Sequence, residues 1–267
     1  MVESAMHTLL LRTWFLSLAI ALLVGSAVGQ AGFFALVREG SPDEVRAAIE
    51  AGAGVNDRYE GTLDQRPREW TPLMFAASYN LNPDVLQTLL DAGANINDRT
   101  EDAFTPLMIA ARDTTNPEVL QVLLDAGANV NAVSEYGFTP LIVAAAMNTN
   151  MDVLQTLLDA GAHVNARDYN DFTPLIHAAL WNENPEQLRM LIDAGSDLEA
   201  RDVRGMTALT AAARTSKNPD VLLVLLEAGA SAWATDARGA RAIDYARNNE
   251  NIRDTDAYWR LHDASVD

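Results

Sequence analysis

One phrase returns six times along this chain at a fixed spacing of 34 residues, and a chain written this way folds as a row of like units stacked on one another. It begins Thr71-Pro72-Leu73-Met74-Phe75-Ala76-Ala77 and Thr105-Pro106-Leu107-Met108-Ile109-Ala110-Ala111. It continues at Thr139-Pro140-Leu141, Thr173-Pro174-Leu175 and Thr207-Ala208-Leu209, and ends in the degenerate Arg241-Ala242-Ile243. A second phrase, Leu-Leu-Asp-Ala-Gly-Ala in its fullest form, keeps step, with its glycine at Gly93, Gly127, Gly161, Gly195 and Gly229.

One period, residues 105–138, shows what each unit is. Thr105 can cap a helix, and Pro106 suits the first helical position because its missing N–H would have no partner there anyway. The small pair Ala110-Ala111 lets a neighbouring helix approach closely. Asn116-Pro117 opens a second helix, and Val119, Leu120, Val122, Leu123 and Leu124 give it an apolar stripe at helical spacing. Gly127 is placed to end that helix in the left-handed conformation. The turn-rich stretch 129–137 then leads to the next Thr-Pro. Each unit is thus helix, turn, helix and a hairpin-like loop. A lone pair cannot bury its apolar face, so neighbours must stack.

The Thr-Pro-Leu-x-x-Ala-Ala and Leu-Leu-Asp-Ala-Gly-Ala-x-Val-Asn phrases resemble those of ankyrin-repeat proteins over roughly residues 33–264. The resemblance implies an all-α solenoid of helix-turn-helix units with projecting hairpin loops, about seven repeats including caps. The repeats fall near 33–57, 69–98, 103–132, 137–166, 171–200, 205–234 and 239–264, in a single domain over 30–267. Two departures stand out. The period is 34, not 33, with the added residue between the helices. The His that usually follows Thr-Pro-Leu, and that ties neighbouring loops together in the family, is replaced by Met74, Met108, Ile142, Ile176 and Thr210. The first repeat, from Phe33 to Asn56, lacks the Thr-Pro phrase, and seven extra residues fall in a polar loop between Tyr59 and Glu69. At the far end a polar helix over 241–248 and a segment over 254–262 close the stack.

Thirty-seven acids against 19 bases give a net charge of -18. Such a chain offers no basic face for phosphates, so nucleic acid is not the expected partner. The acids stand in rank: Asp91, Asp125, Asp159, Asp193 and Glu227 share one repeat position. That rank reads as a solubilising ridge or as a docking strip for a basic partner. At the N-terminus, Arg12, an apolar run from Thr13 to Val24 and small residues over 25–29 describe a signal peptide in residues 1–29. Cleavage fits after Gly29 or after Ala31. Residues 6–28 retained as a membrane anchor are the alternative, and Met6 is a second possible start. With no cysteine in the chain, export points to a bacterial periplasmic or secreted protein that needs no disulfides.

Chemistry is sparse. No glycine-rich phosphate loop, nucleophile elbow or Cys-His pair is written into the chain. The four histidines, His7, His163, His177 and His262, have no second ligand at metal spacing. His177 occupies the slot of Ile109 and Val143 on the first helix of its repeat, which reads as a core or groove residue. No enzyme, cofactor, metal or small-molecule substrate is expected.

Function is therefore sought where the repeats disagree. In the family the target lies in a concave groove lined by loop tips and inner helices. Carried over by position, the residue before each Thr gives an aromatic series, Trp70, Phe104, Phe138 and Phe172, followed by Met206. These rings are either partner anchors or loop packing in place of the missing His. The positions after each Ala-Ala contribute Tyr79, Met147, Leu180 and Trp181, and the loop tips Tyr136, Tyr169 and Arg204. Aromatic anchors are what interface hot spots are made of. The expected function is a non-enzymatic protein-interaction module. An assembly factor for one periplasmic enzyme, or a secreted effector that binds a host protein, is the alternative.

Overall fold

A computed structural model describes residues 29–59 and 69–266. All of the expected leader (1–29) but Gly29, and most of the polar insertion (60–68), lie outside the described residues. Among the described residues fourteen helices follow in seven pairs. The first members are α1 (Gln30–Glu39), α3 (Pro72–Tyr79), α5 (Pro106–Asp113), α7 (Pro140–Met147), α9 (Pro174–Trp181), α11 (Ala208–Thr215) and α13 (Ala242–Ala246). The second members are α2 (Pro42–Glu50), α4 (Pro83–Asp91), α6 (Pro117–Asp125), α8 (Met151–Asp159), α10 (Pro185–Asp193), α12 (Pro219–Glu227) and α14 (Asp256–Ala264). Each first helix packs on the first helices before and after it, and each second helix on its own counterparts. There is no strand among the described residues beyond an isolated Thr235–Arg241 bridge. No helix there is long and apolar enough to cross a membrane.

The helix boundaries are local chemistry repeated. Thr105, Thr139, Thr173 and Thr207 each accept a hydrogen bond from the backbone N–H three residues on. Thr71 departs from this: its hydroxyl is buried and makes no capping bond. Asn82, Asn116, Asn150, Asn184 and Asn218 cap the second helices through their side-chain oxygens. Those helices end in the double bond of a Schellman turn. After α6, Ala128 N–H reaches Leu123 O and Gly127 N–H reaches Leu124 O, both at 2.9 Å, with Gly127 at φ 90°.

The first helices are buried nearly all round because three helices surround them. In α5 every residue from Pro106 to Ala111 is buried. In α6 only the stripe Val119, Leu120 and Leu123 is. Each such Leu removed from water is worth about 1.5–3 kcal/mol.

Asparagines stitch the pairs together. The Asn148 amide donates to the carbonyls of Ala111 (3.0 Å) and Thr114 (2.9 Å) in the preceding repeat. Asn80, Asn182 and Asn249 do the same in their turn. Asn116, Asn150 and Asn218 donate back to Leu81, Thr115 and Glu183. In a third row, Asn56, Asn131 and Asn165 reach forward to the carbonyls of Gly93, Gly161 and Gly195. These bonds use the carbonyls and N–H groups that helix ends leave unpaired.

The ends are closed differently. At the start, Phe34, Tyr59, Trp70 and Phe75 form a buried nest of edge-to-face rings, with Phe34–Phe75 centroids 4.8 Å apart. At the far end the expected polar helix over 241–248 is only five residues, and it buries Ala242, Ile243 and Ala246. Its successor α14 covers it with Ala257 and Leu261.

Candidate partner-binding groove

The hairpin loops are held by one register position. Ser134 Oγ accepts from the N–H groups of Tyr136 (3.3 Å) and Phe138 (3.1 Å). Asp168, Asp202 and Asp236, each 34 residues further on, accept from the same two places in their own loops. Successive loop tips are also joined backbone to backbone. The N–H groups of Glu135, Tyr169, Val203 and Ala237 donate to the carbonyls of Asp102, Tyr136, Asn170 and Arg204 at 2.9–3.1 Å. Below them, Arg58, Arg99, Arg167 and Arg201 each donate to a carbonyl of the next repeat. The loops are therefore tied together without the family's usual His. The tight turn needs a positive φ at residues 103, 137, 171, 205 and 239: Gly at three of them, but Ala103 (60°) and Asp171 (62°) at the others.

This scaffold presents a groove of about 580 Å³ between the loops and helices α5, α7 and α9. Phe104, Phe138 and Phe172 line its loop side. Val143, Met147 and Trp181 line its helical side, with Met147 63% and Trp181 69% exposed at the helix ends. Two large apolar side chains that open to solvent over an apolar floor make a surface that gains by being covered.

His177 and Asp168 sit at the base. His177 is buried between the edges of Phe138 (5.6 Å) and Phe172 (5.3 Å), and its Nε2 lies 2.9 Å from Asp168 Oδ2. Burial pushes the Asp168 carboxyl up, but the bonds from His177 and the N–H groups of Phe172 and Asn170 outweigh it and hold the carboxyl below its ordinary range. Two repeats on, Asp236 and Tyr245 form the same pair, at 2.6 Å. The pairing is a loop-to-helix clamp. His177 was legible in the sequence as a groove or core residue. Its partner was not, because the signal is only an Asp nine residues earlier, which three repeats carry and only two of them answer with a polar ring, His177 and Tyr245.

The structure sorts the expected surface. Phe104, Phe138, Phe172, Met147 and Trp181 come together in the groove. Phe104 and Phe138 also touch each other (6.4 Å), so these half-buried rings both brace the loops and line the groove. Tyr136 and Tyr169 are exposed on adjoining loop tips, and Arg204 on the next. Two expectations are corrected. Trp70 is 2% exposed, edge-on to Phe75 and covered by Arg112, whose guanidinium carbon is 5.8 Å from its ring. Met206 is buried as well. Neither offers a partner any surface. Tyr79 is half-buried against Trp70 and Phe75, and Leu180 against the core, both away from the groove lining. Arg112 joins the lining, paired through two bonds with Asp113. His163 lies in an exposed loop and His262 in α14 beside Trp259, while His7 lies outside the described residues.

The ranked acids are exposed on the second helices, away from the groove. Asp91, Asp125 and Asp159 each accept a hydrogen bond from a Gln one turn earlier.

The family model of ankyrin repeats (3 copies) matches residues 73–168, 107–202 and 168–236, together more than half of the chain. No curated protein matches.

Proposed function

The chain belongs to the ankyrin-repeat family, whose repeats are general protein–protein interaction modules, and from that premise we propose that it is a non-enzymatic binding protein that takes a protein partner in the Phe104–Trp181 groove. The observation that carries this is the pair Met147 and Trp181. A surface that only had to be soluble would not place two large apolar side chains, both well over half exposed, over an apolar floor. The backbone-tied loops hold the groove in one shape, so little ordering entropy opposes binding. The test is co-purification from the source cells with the wild-type chain and with a Met147→Ala/Trp181→Ala variant. A near-stoichiometric partner is expected on the first and is lost on the second, at unchanged helical content. A partner held equally by both would contradict the proposal.

We place the protein outside the cytoplasm, in the periplasm or beyond, on the apolar, Arg12-led segment and the absence of cysteine. Intact mass of the mature protein tests this. Loss of about 29 residues fits a signal peptide. A full-length mass in the membrane fraction would make the segment an anchor instead.

A further inference from the structure

The groove has a charged neighbour on one side. Asp102 and Glu135 stand exposed on the loop tips beside Phe104 and Phe138, and Glu101 adjoins Asp102. The link to the groove is direct: Tyr136 Oη donates to Asp102 Oδ1 (3.2 Å), and its ring contacts Phe138 at 6.4 Å. Among the described residues no cation lies within ion-pair distance of Glu101, Asp102 or Glu135. The neighbouring arginines are already engaged: Arg58 with Asp98, Arg112 with Asp113, and Arg99 with the Val133 carbonyl. Glu69 and Glu101 interact through their side chains, and desolvation first, then Glu101, raises the Glu69 carboxyl above its ordinary range despite the nearby Arg58. Lost hydration is the larger part of that rise, and the neighbouring Glu101 carboxylate adds to it. Past the groove the loop tips turn basic, with Arg204 and Arg238 exposed.

We infer that the occupant of the groove is a segment of a partner protein that carries a large apolar or aromatic side chain, seated against Met147 and Trp181, and a Lys or Arg close to it in sequence, over Asp102 and Glu135. This rests on the groove reading above and adds the chemistry of the partner. The apolar side chain supplies most of the affinity, since it is the part removed from water. The carboxylates act on encounter: they speed the approach of a cationic segment, slow an anionic one, and set which way the segment lies. The opposite sign of Arg204 and Arg238 strengthens that orientation.

The test selects a random-peptide display library on the full chain, with counter-selection on Met147→Ala/Trp181→Ala. Peptides that depend on the groove are expected to pair a large apolar residue with an excess of Lys and Arg. Their association rates are expected to fall by about tenfold in Glu101→Gln/Asp102→Asn/Glu135→Gln at low salt. The difference should vanish near ~1 M salt, where screening reaches ~3 Å. Groove-dependent peptides without a cationic excess, or with rates unchanged in the charge variant, would overturn this inference and leave the groove reading standing. A library from which no peptide distinguishes the wild type from the Met147→Ala/Trp181→Ala variant would overturn both. Self-association of the chain that the same variant abolishes would assign the groove to a second copy, and would overturn the inference too.

Discussion

At the scale of single residues, the loops show where backbone conformation and side-chain choice agree and where they do not. Gly137 sits at φ 84°, and a Cβ there would meet Tyr169 N at 2.7 Å. Gly137→Ala is therefore expected to lose more than the ~1–2 kcal/mol that the left-handed conformation alone costs. Ala103 already bears that strain at the same register position, so Ala103→Gly should gain up to about 1 kcal/mol. Denaturant midpoints of the two variants should move in opposite directions. Asp168 gives a pH signature. Its carboxyl is held below its ordinary range in the folded state, so its contribution is present above the unfolded value of about 3.9 and fades as pH falls through the folded one. The part of the Asp168→Asn deficit that comes from the lowered carboxyl is expected to be present above about pH 4 and to shrink below it. A deficit that grew as pH fell below about 4 would contradict this account of the clamp.

At the scale of elements, much was legible because it is local. A Thr or Asn cap, a Pro at the first helical position and a glycine past the last turn act within a few residues, so a repeated phrase announces a repeated helix pair. What was not legible is contact across repeats. Asn116 reads as a cap, and it is one, but nothing in its neighbourhood says that its amide also reaches Leu81 O. Trp70 and Phe138 hold the same register position with opposite outcomes. Trp70 borders the terminal nest of Phe34, Tyr59 and Phe75, which absorbs it, whereas Phe138 borders a groove. Burial there is set by the neighbouring repeat, which periodicity does not show. The asparagine rows make a prediction at this scale. Asn148→Ala removes the donor to two carbonyls of the preceding repeat and the acceptor for Asn150 N–H, and should cost about 1–3 kcal/mol. Asn148→Thr should cost less, since Thr114, at the equivalent position, keeps the acceptor role toward Asn116 N–H. Urea midpoints, with the slope of the transition unchanged, would measure both.

At the scale of the whole molecule, the design separates stability from recognition. The core, the asparagine rows and the tied loops recur from repeat to repeat and make a stiff frame. The groove draws on positions whose residues change from repeat to repeat: Met147 and Trp181 share a register position with Tyr79, Asp113 and Thr215, and His177 shares one with Ile109 and Val143. A common frame with a private surface is how function is grafted on a shared fold. The N-terminal leader, expected from residues 1–29, bears on where this surface is displayed, not on how it is built. The most direct test of the central claim places a photo-crosslinking amino acid at Trp181 and, separately, at Gln121 on the exposed face of α6, in the source cells. A discrete crosslinked protein is expected from position 181 and none from position 121. Equal crosslinking from both, or crosslinking from position 121 alone, would contradict that claim.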